Sequence, residues 1–184
     1  MTTQVADDAA MMAAIRHLRQ RSGLATALAD LANKADVGTQ MNWLSTAADA
    51  AIAATVRYLF RQAAARGLVL PDCTGQRGCG WTILALGKLG ASELNYSSDV
   101  DMIILHDPEN NALTNPETSQ TFFADLTRHL VSLLSSATRD GIGWRVDLRL
   151  RPDPGATAVS IQREAAIGDM INGGSHLGDG DRVH

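Results

Sequence analysis

The sequence predicts an α+β fold, and three observations carry that prediction. Residues 7–66 are rich in Ala and Leu, with apolar positions three and four apart. Two later runs, at 81–86 and 99–106, are rich in strand-forming residues. Residues 144–150 alternate apolar and charged side chains with a period of two.

In order, Leu24, Ala27, Leu28 and Leu31, then Ala47, Ala51, Ala54, Val56 and Leu59, give one apolar stripe on each of two or three helices. Gly23, residues 34–38 and the glycine-rich stretch 67–80 punctuate them. The last of these divides an N-terminal helical annex, residues 1–78, from a catalytic core, residues 79–161. Trp81 opens the first strand. A Gly87-Lys88-Leu89-Gly90 turn and a polar stretch ending in Ser97-Ser98 lead to Asp99 and the second strand, which ends at His106. Phe122, Phe123, Leu126, Leu130, Val131, Leu133 and Leu134 suit a helix over 116–138 packed on a sheet. Asp140-Gly141 then turns the chain into the alternating run. There Trp144, Val146, Leu148 and Leu150 lie on one face, and Arg145, Asp147, Arg149 and Arg151 on the other. Pro152, Pro154 and Gly155 close it, and 157–161 suits one more short strand.

A 184-residue chain that is 45% hydrophobic and 20% charged has the composition of one soluble globular unit. A net charge of −4 provides no global field for DNA or an anionic membrane, so nucleic-acid and membrane partners are not expected, and any phosphate site must be local. Cys73 and Cys79 have no nearby histidine, which argues against zinc. With no disulfide framework, no apolar run of about 18 residues and no leader pattern at Met1, a cytoplasmic protein is expected.

The chemistry is concentrated in the carboxylates. In an extended strand, residues two apart share a face at about 6.5–7 Å, so Asp99 and Asp101 can serve one cluster of divalent ions. Phosphoryl transfer uses two ions about 3.5–4 Å apart to hold the attacking and leaving oxygens. Mg²⁺ takes one or two carboxylates plus substrate phosphates. Asp147, on the charged face of the later strand, is the candidate third ligand. Asp-x-Asp alone also marks ordinary solvated turns. Gly87, Lys88 and Gly90 fit either a phosphate cradle or a tight turn with a surface lysine, and their spacing matches neither a P-loop nor a dinucleotide fingerprint. Arg149 and Arg151 fit either phosphate binding or salt bridges to the aspartates.

Two ordered blocks resolve these alternatives. Gly87-Lys88-Leu89-Gly90-Ala91-Ser92-Glu93-Leu94-Asn95-Tyr96-Ser97-Ser98-Asp99-Val100-Asp101 is followed by Arg145-Val146-Asp147-Leu148-Arg149-Leu150-Arg151-Pro152. Together they resemble the family of bifunctional glutamine synthetase adenylyltransferase/adenylyl-removing enzymes, over about residues 18–161. The resemblance implies a nucleotidyltransferase-like mixed β-sheet flanked by helices, with Asp99, Asp101 and Asp147 as catalytic ligands of Mg²⁺. It further implies that Gly87, Lys88 and Gly90 orient nucleotide phosphates, that Ser98 contributes a hydroxyl, and that Arg149 and Arg151 are available to phosphate. Glutamine synthetase, an adenine nucleotide and phosphate are the implied partners, and contact with the PII signalling protein in the full-length enzyme stays open. The family carries two such domains, one attaching AMP from ATP and one removing it by phosphorolysis to ADP. Glu93-Leu94-Asn95 and Arg145-Val146-Asp147-Leu148-Arg149 resemble the removing half.

The family's chains are several times longer, so the sequence reads as a piece, and a catalytically silent remnant is the competing expectation. Residues 162–184 read as a disordered tail, Gly- and Asp-rich from 168 onward. Read one base later through GC-rich codons, 175–184 yields a Trp-Glu segment of the kind family members carry at this distance. That predicts a frameshift near Ile171, which the coding DNA tests.

Overall fold

The computed structural model describes residues 7–73, 75, 79–109, 112–148 and the strand at 161–162. Helix α1 spans Asp8–Leu31 and α2 spans Val37–Ala65. Each starts on an aspartate cap: the Asp7 carboxylate accepts from the Ala10 amide at 2.8 Å, and Asp36 accepts from Thr39 at 2.7 Å. Asn33, in the left-handed region at φ 51°, turns the chain between them. Helix α2 ends on Gly67 at φ 69°, where the amides of Gly67 and Leu68 reach back to the carbonyls of Ala64 and Ala63.

Strand β1, Trp81–Ala85, leads through the four-residue helix α3, Gly87–Gly90, to the central strand β2, Val100–His106. A 3-10 turn, Pro116–Thr118, precedes α4, Ser119–Ser135, which crosses over to β3, Val146–Asp147. β1 pairs antiparallel with β2, while β3 and β4, Ile161–Gln162, pair parallel with opposite ends of β2. The result is a small mixed sheet with helices, as the α+β expectation requires. Strand alternation sorts β2: Val100, Met102 and Ile104 are buried in the core, while Asp101 falls on the other face with Ile103 and Leu105. One buried cluster joins α1, α2, the sheet and α4, through residues such as Ile15, Leu59, Phe60, Met102, Phe123 and Leu130.

Four local expectations need correction. Gly23 does not break the first helix but lies inside α1, where a glycine costs about 1 kcal/mol relative to alanine; the Tyr96 ring lies 3.9 Å from where its Cβ would be. The stripe of Leu24, Leu28 and Leu31 is solvent-exposed, at 63%, 57% and 80%, because α1 buries its packed face earlier, at Met11 and Ile15. Within the described residues the alternating run is strand only at Val146–Asp147, and the Trp144 amide is taken by the Leu134 carbonyl at 3.0 Å. Cys73 and Cys79 form a disulfide across a six-residue separation, with Cα atoms 5.6 Å apart. Both are buried. Residues 149–160 and 163–184, including Arg149, Arg151 and the expected tail, lie outside the described residues. No helix among the described residues is long and apolar enough to cross a membrane.

Two further features hold α1 against α2 and α4. Gly143 sits where a Cβ would come within 2.5 Å of the Leu134 carbonyl oxygen and 2.6 Å of Ile15 Cγ2. Gly143→Ala is therefore expected to destabilise the fold by about 1–3 kcal/mol, read as a lower urea midpoint. At the start of α1, Asp8 accepts a hydrogen bond from the Tyr58 hydroxyl at 2.7 Å and lies 2.8 Å from His129 Nε2. Burial pushes the Asp8 carboxyl up, but the bonds from Tyr58 and His129 outweigh it and hold the group below its ordinary value. Tyr58 is pushed up to about 12 by burial and by Asp8.

A lowered carboxylate stabilises the fold above its unfolded value and loses that contribution as pH falls through its folded one. Asp8→Ala should cost about 1 kcal/mol at neutral pH, given the half-exposed site. In urea titrations across pH, the difference from the unchanged protein should shrink as pH drops below about 3.9.

Candidate active site

The strand register brings the predicted carboxylates together. Asp101 on β2 and Asp147 on β3 are direct partners on adjacent parallel strands. Neighbouring strands lie about 4.8 Å apart and register partners point to the same face. The ladder continues one step back, where the Val100 amide donates to the Arg145 carbonyl at 2.8 Å. Asp99 thereby lies beside Arg145, two residues before Asp101. Both Asp101 and Asp147 are half-buried.

The turn after β1 is shaped around Asp101. Gly87 adopts φ 52°, and a Cβ there would stand 2.5 Å from Asp101 Oδ2. Only glycine allows both the left-handed backbone and this approach. Gly87→Ala is expected to displace the Asp101 carboxylate, and a divalent ion held there would bind at least about tenfold more weakly; Mn²⁺ titration measures it. Gly90 has a different role. Its amide donates to the Leu86 carbonyl at 3.0 Å, so that donor is already used, and its missing Cβ lets the turn pack on the Ala85 carbonyl. Lys88 is exposed on the same turn, with its ammonium group available to an anion.

The loop before Asp99 is built on Asn95. Its side-chain oxygen accepts from the Ser97 amide at 3.1 Å and the Ser98 hydroxyl at 2.8 Å, and the Ser98 hydroxyl in turn accepts from the Asn95 amide at 3.2 Å. Ser98 thus shapes the turn as well as lying next to the carboxylates. The buried Leu94 anchors the loop, its amide donating to the Ser45 hydroxyl of α2 at 3.0 Å.

Two arginines to which the sequence assigned no site role tie the two carboxylate segments together. Arg145 Nε lies 2.5 Å from Asp99 Oδ1, and its Nη2 donates to the Ser97 carbonyl at 2.8 Å. From α1, Arg19 donates to the carbonyls of Gly143, Ile142 and Tyr96, with its guanidinium carbon 5.9 Å from the centre of the Trp144 ring. Burial, and then the charge of Arg145, hold Arg19 below the usual arginine value. Arg145 could have been suspected from the charged face of its strand. Nothing in helix periodicity singles out Arg19.

Three carboxylates on one sheet face suit a hard divalent ion by donor type and by backbone position. Side-chain placement is less complete: among the described residues, no three His, Cys, Asp or Glu groups converge closely enough to hold a metal. Asp99 is committed to Arg145. A cavity of about 630 Å³ opens elsewhere, between the start of α1, the end of α2 and α4, around Asp8, Tyr58 and His129. None of the three aspartates lines it, and these three polar groups already bond one another, which makes it a seam between helices.

The sequence model of the glutamate-ammonia ligase adenylyltransferase family matches residues 1–167. This chain belongs to that family. Individual family members agree. The chain is 41% identical over 163 residues to a bifunctional glutamine synthetase adenylyltransferase/adenylyl-removing enzyme of Bradyrhizobium diazoefficiens, covering 88% of this chain and 16% of that protein. It is 43% identical over 162 residues to the protein of the same name from Bradyrhizobium sp. strain BTAi1, covering 87% and 16%. With that of Xanthobacter autotrophicus it shares 40% over 168 residues, covering 90% and 17%. The chain therefore spans about a sixth of the length of these relatives. The matched region contains both the turn at Gly87 and the three aspartates.

Proposed function

We propose that this chain carries the catalytic core of a Mg²⁺-dependent nucleotidyltransferase of the cytoplasm that acts on glutamine synthetase, removing AMP from its adenylylated tyrosine by phosphorolysis. The observation that carries the reading is the register of Asp101 beside Asp147, with Asp99 two residues ahead on the same edge. The relatives' names supply the protein substrate.

In this reading Asp99, Asp101 and Asp147 hold the divalent ions. When bound, such ions offset the charge on the transferring group and clamp the entering and leaving oxygens. Gly87 gives the Asp101 carboxylate its clearance. Lys88 and the Gly87 side of the turn face the phosphates, and Asn95 and Ser98 keep the loop before Asp99 in shape. A phosphate oxygen attacks the adenylyl phosphorus, and the bond from that phosphorus to the tyrosine oxygen breaks. The oxygen leaves with the electron pair and takes up a proton, giving ADP and free tyrosine. Asn95 favours the removing direction over attachment of AMP from ATP. Its side chain accepts the two hydrogen bonds that set the loop, and the Glu93-Leu94-Asn95 segment resembles that of the removing half.

The test is ADP release from adenylylated glutamine synthetase supplied with Mg²⁺ and inorganic phosphate. Release that requires phosphate supports the reading, whereas AMP incorporation from ATP without such release supports the attaching direction. A silent remnant is the second reading, favoured by the commitment of Asp99 to Arg145. Absence of both activities here, with activity in a full-length relative, would establish it.

A further inference from the structure

We propose that Arg145 is a built-in stand-in cation, occupying Asp99 until a divalent ion displaces it, so that the ion binds less tightly than the carboxylates alone would hold it. This rests on the reading of Asp99, Asp101 and Asp147 as ion ligands.

Asp99 and Asp101 lie two residues apart, and Asp101 is in register with Asp147, so three carboxylates share one sheet edge. Without a counter-charge they repel one another. Arg145 supplies one positive charge, its Nε 2.5 Å from Asp99 Oδ1. Its Nη2 is anchored on the Ser97 carbonyl, so the guanidinium is aimed at Asp99 by its own loop. Helix α1 adds a second fixed charge behind it, Arg19, whose bonds to Tyr96 and Gly143 hold the two segments at this spacing.

The pair is also easy to break. The side chains of Arg145 and Asp99 are 59% and 44% exposed, and an ion pair in water of this kind is weak. A divalent ion brings twice the charge and direct oxygen coordination, so it can take Asp99 from the guanidinium. The arrangement also accounts for the lack of a converged three-carboxylate cage among the described residues.

A role confined to stability predicts that losing Arg145 loosens the loop and weakens ion binding. A stand-in cation predicts the opposite sign. The experiment is a Mn²⁺ titration, followed by electron paramagnetic resonance, of the full 184-residue chain and of Arg145→Gln, Arg145→Lys, Asp99→Asn, Asp101→Asn and the Asp99→Asn/Arg145→Gln double variant. Circular dichroism confirms folding of each.

The expected result is Mn²⁺ binding about three- to tenfold tighter in Arg145→Gln. Affinity should stay near that of the unchanged chain in Arg145→Lys, which keeps the charge, and Arg145→Gln should bring no gain once Asp99 is already Asn. Equal or weaker binding in folded Arg145→Gln overturns the proposal, as does an equal gain in the Asp99→Asn background. The ion-site reading is judged separately, by whether the unchanged chain binds Mn²⁺ and Asp101→Asn does not. If the unchanged chain binds none, both fall together.

Discussion

Replacing Asp101 by asparagine is expected to lower phosphate-dependent ADP release by on the order of 10²–10³-fold, the range typical of removing one preorganised electrostatic group from an active site. The side chain sits at the one position in register with Asp147, two residues from Asp99, and under the clearance of Gly87. An amide keeps the shape and removes the charge, so a loss of rate cannot be blamed on packing. Stability should move the other way. Like charges on directly opposed strand positions cost about 0.2–1 kcal/mol, and Asp101→Asn relieves that repulsion from Asp147. The unfolding midpoint should hold steady or rise while activity falls. A residue kept for structure alone would show activity and stability falling together.

The second large effect concerns Arg16, whose side chain is fully buried. Its guanidinium donates to the carbonyls of Met12 at 3.1 Å, Leu133 at 2.6 Å, Gly141 at 3.4 Å and Ser136. Leu133 lies in the last turn of α4 and Ser136 is its C-cap, where carbonyls lack partners within the helix. Burial holds Arg16 below the ordinary arginine value. Arg16→Leu leaves several of these carbonyls buried without a donor, and a loss of about 3–5 kcal/mol is expected. Arg16→Lys keeps the charge but lacks the planar fork, so it should recover only part of that loss. Urea unfolding of both variants measures the effect. Because the segment that Arg16 holds continues through Gly143 and Trp144 to Asp147, activity should fall with stability here, unlike in Asp101→Asn.

These cases show which features local patterning reveals. The helix at 119–135 was legible because its buried face shows its apolar period directly in the sequence, and the strand at 100–106 because its run of strand-forming residues is bounded by turn residues. The pairing of Asp101 with Asp147 was half legible. Spacing placed each on a strand, but only the parallel register, set by the α4 crossover, makes them neighbours. Features that depend on contacts between distant segments were not legible. Arg16 and Arg19 look like solvated positions of an amphipathic helix, yet they anchor a loop more than 100 residues away. Leu24, Leu28 and Leu31 have the spacing of a core stripe and are exposed, since periodicity does not say how far along a helix its partner extends. Gly23 carries a breaker's identity inside an unbroken helix. The Cα–Cα approach of Cys73 to Cys79, 5.6 Å, is not fixed by the spacing of two cysteines.

Whether Asp99, Asp101 and Asp147 together hold the ions of phosphoryl transfer can be read from crystals of this chain soaked in Mn²⁺ and measured near the manganese absorption edge. Anomalous density is expected within direct ligand distance of Asp101 and Asp147, with Asp99 rotated away from Arg145 to join them. Density found only elsewhere, with Asp99 still paired to Arg145 at saturating Mn²⁺, would contradict it.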